Sequence, residues 1–201
     1  VPRLQGVRYR VMPDRIEAGT FAIAAAITQG DVTLSDVVSE HMDPLTHKLR
    51  EVGVVVEPCG RDYRVKGSPE MYAVEIQTLH YPGFPTDLQA AFGALLTQAQ
   101  GTSVIHERVY DRRLQYADEL LKLGATIRVS GQTATIQGPT PLHGRRVHAL
   151  DIRCGAALTL AGLAADGVTE IVDIHHIERG YEGIDAKLRS IGARIERVVA
   201  V

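Results

Sequence analysis

The hydrophobic positions of this chain alternate between two helical patterns and a strand pattern. Long segments such as FAIAAAI and AALTLAGLAA are apolar on nearly every side of a helix, and short β-branched runs such as VTL, TSVI and VTEIV follow them. Segments with one apolar face come next, as in THKLREVG, LQYADELLKLG and GIDAKLRSIG. A helix without a polar face belongs in the interior, whereas an amphipathic helix lies at the surface. The pattern therefore predicts three buried helices and three surface helices.

These segments form three copies of one unit, placed at residues 1–72, 73–140 and 141–201 of a single domain, 1–201. In each copy an aspartate marks the predicted start of the buried helix, and a glycine marks its left-handed stop. The aspartates are Asp14, Asp87 and Asp151, and the glycines are Gly30, Gly101 and Gly167. We treat the three aspartates as equivalent positions, so that helix capping alone can explain them.

Further strands are predicted after each surface helix, in VVVEP, ATIRVS and ARIERVV, with DYRVKG and TATIQG as additional strands of the first two copies. The third copy stops one strand short, and VRYRV at the head of the chain is a candidate to complete it. The prediction is an α/β fold, an inside-out α/β barrel (a prism) of three βαβαββ repeats. Its three buried helices are walled by sheets.

Composition excludes several functions. The net charge of −2 and the 5% aromatic content give no basis for nucleic-acid binding. No apolar run approaches the roughly 18 residues of a membrane span, and two cysteines suggest no disulfide framework, so we expect a cytoplasmic protein. No Cys/His cluster has zinc spacing, and His175 and His176 on a predicted strand would point to opposite faces, so we expect no metal. The chain does not begin with Met, and we expect it to be a piece of a longer protein.

Several stretches resemble the enolpyruvyl transferase family: YRVMPDRIEAGTF, YPGFPTDLQA, LDIR and HIERGYEGIDAKLRSIGARIERV. The resemblance covers essentially the whole chain and implies the C-terminal half of an enzyme with two such threefold domains. It is strongest to the branch that transfers the enolpyruvyl group of phosphoenolpyruvate to the 3-hydroxyl of UDP-N-acetylglucosamine, the first committed step of peptidoglycan synthesis. It implies no cofactor, an N-terminal catalytic domain as missing partner, and an inactive isolated fragment.

The resemblance also implies roles for individual residues. Asp87 matches the aspartate that binds the sugar hydroxyl and transfers its proton, although the residues alone favour a first-turn helix carboxylate within a Thr86–Gln89 capping box. Asp151 matches an active-site aspartate, and Arg179 is expected near the phosphoenolpyruvate phosphate. The remaining residues implied to bind substrate are Arg15, Val109, Arg113 and Arg153.

Other positions differ from the family or leave alternatives open. Asp111 and Arg112 stand where the family more often has Glu-Asn. Neither Cys59 nor Cys154 matches the family's catalytic cysteine, which lies in the other domain, and Cys154 is expected to be a small core residue. An enolpyruvyl transferase acting on shikimate 3-phosphate and a sugar-nucleotide-binding module without catalysis remain alternatives.

Overall fold

The structure, a computed structural model, describes residues 3–198 as helices and short strands in alternation. The helices are α1 Arg15–Ile27, α2 Asp43–Val52, α3 Thr86–Leu96, α4 Tyr116–Lys122, α5 Ile152–Ala164, α6 His175–Glu178 and α7 Ile184–Ser190, with a 3-10 turn at Ser39–Met42 before α2. The strands are β1 Asp31–Leu34, β2 Val55–Cys59, β3 Asp62–Lys66, β4 Glu75–Gln77, β5 Gly101–His106, β6 Thr126–Ser130, β7 Thr133–Gly138, β8 Arg146–His148 and β9 Glu170–Val172. The predicted α/β class is confirmed.

Three helices, α1, α3 and α5, form the centre of the core and contact one another. In α3 every residue from Leu88 to Leu96 is buried, and α1 and α5 are buried over most of their length. Small residues permit this close packing: a methyl group at Gly93 would come within 2.7 Å of the Tyr116 hydroxyl oxygen. The three buried helices therefore form as the apolar pattern predicts.

Each central helix packs against its own sheet. The first sheet has the strand order β1-β3-β2 and is antiparallel. The second has the order β4-β5-β7-β6, with β4 and β5 parallel and the other pairs antiparallel. The third is the parallel pair β8-β9. Helix α1 contacts β1 and β3, α3 contacts β5 and β7, and α5 contacts β9.

Two predicted strands do not form. Residues 7–11 (VRYRV) pair with no strand, and Val7, Tyr9 and Val11 are more than two-thirds exposed. Residues 193–198 of ARIERVV are likewise outside any sheet, and Val199 lies outside the described residues. A strand needs a neighbour to bond its N–H and C=O groups, and no described segment pairs with either stretch. VRYRV therefore does not complete the third sheet.

The three central helices do not end at the predicted glycines. Gly101 and Gly167 have positive φ values, 106° and 87°, but Gly101 is the first residue of β5 and Gly167 lies beyond the C-cap of α5, Ala165. After α1 the left-handed residue is Gln29, with φ 55°, and not Gly30. The prediction that a glycine stops each buried helix is thus wrong.

Candidate functional site

The N-termini of the three central helices differ in how their aspartates are used. Asp14 precedes α1 and its carboxylate accepts hydrogen bonds from the backbone N–H groups of Ile16 (2.7 Å) and Glu17 (3.3 Å). Asp151 precedes α5 and accepts from the N–H groups of Arg153 (2.8 Å) and Cys154 (2.7 Å). Both are N-caps that satisfy otherwise unpaired helix donors.

Asp87 is not a cap, because it is the second residue of α3 and Pro85 occupies the N-cap position. The expectation that the three aspartates are equivalent is therefore wrong. The spacing in the sequence already indicates that Asp87 differs. Asp14 and Asp151 lie 16 residues before Gly30 and Gly167, whereas Asp87 lies 14 residues before Gly101. A carboxylate two residues further into the helix is released from capping and can contact other groups.

The predicted capping box at Thr86 and Gln89 does not form either. Thr86 is the first helical residue, and its hydroxyl donates to Glu107 Oε2 at 2.8 Å. Gln89 is 1% exposed, and its Nε2 has no hydrogen-bond partner among residues 3–198. The reason is again the position of Pro85, which moves Thr86 out of the cap position.

Two arginines from other elements converge on Asp87. Arg153 Nε, in the first turn of α5, donates to Asp87 Oδ1 at 2.5 Å, and Arg113 Nη1 donates to the same oxygen at 3.0 Å. The Asp87 side chain is 41% exposed, and the side chains of Arg113 and Arg153 are more buried. Oδ2 of Asp87 accepts no hydrogen bond from any group in the described part of the chain. One oxygen is thus held by two cations while the other stays open.

The two arginines favour the ionised form of Asp87. Burial alone would raise the pKa of this carboxyl, but the hydrogen bond and charge of Arg153, and then those of Arg113, hold its pKa below the ordinary value of 3.8. Asp87 is therefore ionised at neutral pH. Arg113 itself is held by the Thr86 hydroxyl at 3.1 Å and by the Tyr110 ring, whose centroid lies 4.2 Å from the guanidinium carbon.

An open cavity of about 200 Å³ lies over these groups and is lined by five of the predicted site residues: Arg15, Asp87, Val109, Arg113 and Arg153. The three arginines outnumber the single aspartate, so the lining is positively charged. The guanidinium of Arg15 lies 5.3 Å from the ring centroid of the exposed Tyr81 at the rim. Such a lining is suited to bind an anion such as a phosphate or carboxylate.

The other two predicted residues lie elsewhere. Asp151 borders a narrower cavity of about 40 Å³ that Arg113 and Arg153 also line, and its carboxylate is engaged in capping α5. Arg179, at the end of α6, is exposed, lines neither cavity and forms no ion pair with residues 3–198. The catalytic roles assigned to Asp151 and Arg179 stay predictions.

Sequence reasoning missed Glu107 and the two tyrosines, Tyr81 and Tyr110, at this site. Glu107 directly follows β5 and is only 2% exposed, yet a single acid between charged residues gives no sign of burial. Tyr81 occurs among turn residues in YPGF, and Tyr110 occurs among charged residues in RVYDRR. An aromatic residue in such surroundings was the one sequence signal that could have indicated a place in the site.

The remaining candidates for chemistry are structural or isolated. His175 and His176 lie on α6, not on a strand, and their ring centroids are 4.1 Å apart. In the described range no group of three His, Cys, Asp or Glu side chains could hold a metal ion. Cys154 is buried, as expected, and burial raises the pKa of its thiol to about 11, which leaves it unreactive. Among residues 3–198 no helix has the length and apolarity needed to span a bilayer.

The fold is that of the enolpyruvyl transferases, as comparison with known proteins shows. The chain belongs to the EPSP synthase (3-phosphoshikimate 1-carboxyvinyltransferase) family, whose model matches residues 1–188. A solved neighbour is the enolpyruvyl transferase NikO from Streptomyces tendae, with a TM-score of 0.84 and 28% identity over 91% of this chain and 44% of that one.

Curated relatives are similar in sequence over nearly the whole chain. UDP-N-acetylglucosamine 1-carboxyvinyltransferase 2 of Geobacillus kaustophilus is 50% identical over 197 residues, which cover 98% of this chain and 46% of the relative. UDP-N-acetylglucosamine 1-carboxyvinyltransferase of Nostoc sp. is 51% identical over 199 residues, 98% of this chain and 44% of the relative. The chain thus spans about half the length of the curated relatives it matches.

Proposed function

We propose that this chain forms one side of the active site of an enolpyruvyl transferase and that a second domain supplies the other side. The reaction moves the enolpyruvyl group of phosphoenolpyruvate to the 3-hydroxyl of UDP-N-acetylglucosamine. The observation that carries the proposal is Asp87, bound by two arginines at Oδ1 and open at Oδ2, beneath a cavity with a positive lining. Identity of about half to named 1-carboxyvinyltransferases supports the choice of substrates.

Both substrates are anions, and the arginines suit them. Phosphoenolpyruvate carries a phosphate and a carboxylate, and the sugar nucleotide carries a diphosphate, so each offers oxygens that a guanidinium can bind in a bidentate manner. Arg15, Arg113 and Arg153 line the cavity where such a ligand would enter. Arg179 is assigned to the phosphoenolpyruvate phosphate, and the backbone of Val109 to the sugar nucleotide.

Asp87 serves as the proton acceptor for the sugar 3-hydroxyl. The hydroxyl oxygen adds to the enolpyruvyl carbon that bears the phosphate ester, its proton passes to Asp87 Oδ2, and the methylene carbon takes a proton from an acid that the second domain supplies. The C–O bond to phosphate then breaks, phosphate leaves the tetrahedral intermediate, and the methyl group returns a proton to the conjugate base of that acid. An anionic ligand that draws Arg113 and Arg153 toward itself weakens their hold on Asp87, which raises the pKa of Asp87 and makes it a better base.

We assign Asp151 two roles, one structural and one in proton transfer. Its carboxylate fixes the start of α5, including the backbone N–H of Arg153. It also borders the narrower cavity beside Arg113 and Arg153, so a proton-transfer role there accords with the family resemblance. In the cell the reaction would be the first committed step of peptidoglycan synthesis.

One alternative acceptor has support of its own, since the matching family model carries the name of 3-phosphoshikimate 1-carboxyvinyltransferase. The deciding test measures phosphate release from phosphoenolpyruvate by the polypeptide that carries this chain together with its second domain. We expect turnover with UDP-N-acetylglucosamine and none with shikimate 3-phosphate, and no turnover by the isolated chain. Turnover with shikimate 3-phosphate alone would refute the substrate assignment, and turnover by the isolated chain would refute the half-site. Sugar-nucleotide binding without turnover would identify a binding module.

A further inference from the structure

Glu107 is a buried carboxylate that no role has yet explained. It is 2% exposed and forms no ion pair with any residue of the 3–198 range. Its Oε1 accepts hydrogen bonds from the Thr78 hydroxyl (2.8 Å) and from the backbone N–H groups of Val109 (2.8 Å) and Tyr110 (3.0 Å). Its Oε2 accepts from the Thr86 hydroxyl at 2.8 Å. Burying a carboxylate is costly unless its oxygens are satisfied, and here four donors satisfy them.

The direction of both hydroxyl bonds is determined by their other partners. Thr78 Oγ1 accepts from the backbone N–H of Arg108 at 2.8 Å, and Thr86 Oγ1 accepts from Arg113 Nη1 at 3.1 Å. Because an N–H group can only donate, each hydroxyl has its own proton free to give to Glu107. The contacts therefore require an acceptor at both oxygens, which a carboxylate provides and an amide does not.

These bonds connect Glu107 to the site without bringing it into contact with the cavity. Through Thr86 it is linked to Arg113, and Arg113 Nη1 donates to Asp87 Oδ1 at 3.0 Å. Through the amides of Val109 and Tyr110 it holds the start of the loop, residues 107–115, that carries Arg113. Glu107 thus joins the first residue of α3 to the loop that carries the arginine.

We infer that Glu107 is a positioning residue that sets Arg113 against Asp87 and presents the Val109 backbone to the cavity. Its use in catalysis depends on the proposed enolpyruvyl transfer, whereas its effect on Asp87 does not. If glutamine replaced Glu107, its amide NH₂ group could stand where Oε2 accepts the Thr86 hydroxyl proton. The Thr86 hydroxyl would then face a second donor besides the Arg113 guanidinium, so Thr86 would rotate and Arg113 would move. A displacement of about 1 Å in a catalytic group can cost on the order of 100-fold in rate.

The test compares Glu107→Gln with the parent in the polypeptide that contains both domains. The first readout is the titration of the Asp87 carboxyl carbon by ¹³C NMR, which needs no turnover. We expect Glu107→Gln to raise the pKa of Asp87, because the bond from Arg113 is weakened. An unchanged Asp87 titration would overturn the inference even if the protein has no transferase activity, so the two proposals fail separately.

The second readout is phosphate release. We expect Glu107→Gln to lower kcat/KM about tenfold to 100-fold and to raise KM for the sugar nucleotide, as expected for misplaced groups. Thr46→Val is the matched control, since it removes another buried hydroxyl, bonded to Tyr63 at 2.5 Å between α2 and β3, far from the cavity. It should lower the melting temperature and leave kcat/KM within about twofold. Equal losses of kcat/KM in both variants would mean that Glu107 only supports folding.

A double-mutant cycle with Thr86→Val tests the route through Thr86. Non-additive losses of kcat/KM support the linkage, whereas additive losses contradict it. If Glu107→Gln does not fold, Thr86→Val and Thr86→Ser carry the test. Serine keeps the hydroxyl and should retain kcat/KM and the Asp87 titration, and valine should lose both. Identical behaviour of the two Thr86 variants would overturn the inference.

Discussion

The start of α3 and the start of α5 use the same residue type for opposite purposes. At α5, Asp151 lies at the N-cap and binds two backbone N–H groups of its own helix. At α3 the cap is Pro85, and Asp87 lies within the first turn, where it binds Arg113 and Arg153 from other elements. An N-cap aspartate stabilises its own helix, and Asp151 does so through Oδ1. The shift of two residues at α3 replaces these backbone N–H donors at Oδ1 of Asp87 by guanidinium groups from other elements.

The same comparison explains how the two helices cooperate. Asp151 binds the backbone of Arg153, and the side chain of Arg153 binds Asp87. The N-cap of α5, Asp151, therefore positions Arg153, and Arg153 lowers the pKa of Asp87 on α3.

The largest effect is expected from Asp87→Asn in the two-domain polypeptide. It removes the proton acceptor while keeping the side-chain shape, so kcat should fall by about 100-fold to 10,000-fold. Asp14→Asn is the control, because asparagine caps a helix as well as aspartate does, and its rate should stay within about twofold. Phosphate release measures both. Similar rates for Asp87→Asn and the parent would return Asp87 to the role of a helix-end carboxylate.

Arg153→Gln and Arg113→Gln should each raise KM for the anionic substrates by about tenfold or more, the worth of a charge-assisted hydrogen bond. Arg153→Lys should recover only part of this, since an ammonium group cannot bind two oxygens in a fixed plane. Arg61→Gln, which breaks an exposed ion pair with Asp36 away from the cavity, is the control and should leave KM unchanged. Initial rates at varied substrate concentration give the answer. A KM change of the same size for Arg61→Gln would show that overall charge, and not the site, is responsible.

Capping predicts a smaller, purely structural effect. Asp14→Ala and Asp151→Ala should each lower the free energy of unfolding by about 1 kcal/mol, and the corresponding asparagine variants should not. Urea denaturation followed by circular dichroism measures this. If alanine and asparagine were equally destabilising at Asp14, the carboxylate charge and not the cap would be the cause.

The smallest effect concerns pH. Because the folded-state pKa of Asp87 is lowered, its contribution to stability is present above the ordinary pKa of 3.8 and is lost as pH falls through the lower folded value. Arg153→Gln should raise the pKa of Asp87 toward 3.8, and added phosphoenolpyruvate should raise it in the parent. A carboxyl-carbon titration by NMR follows both changes. An Asp87 pKa that is indifferent to Arg153 would contradict the ion pair.

Much of the fold follows from local pattern. The all-apolar segments became the central helices, and runs such as TSVI and TATIQG became the strands β5 and β7. The strands predicted at VRYRV and ARIERVV failed, because β-branched composition provides only the propensity for a strand and a neighbouring strand must supply the hydrogen bonds. Within the site, the family resemblance selected Arg15, Asp87, Val109, Arg113 and Arg153, which line one cavity.

The sequence by itself determined the three buried helices, the unequal spacing of the aspartates and the residue types available for an anion site. Only the tertiary structure decided which aspartate caps its own helix and which binds arginines of other elements, since capping depends on where each helix begins and α3 has Pro85 at its N-cap. It also decided that Glu107 is buried and that Arg113 and Arg153, 40 residues apart in the chain, share one oxygen of Asp87. Helix periodicity is a local property, whereas the convergence of charges depends on how separate elements pack.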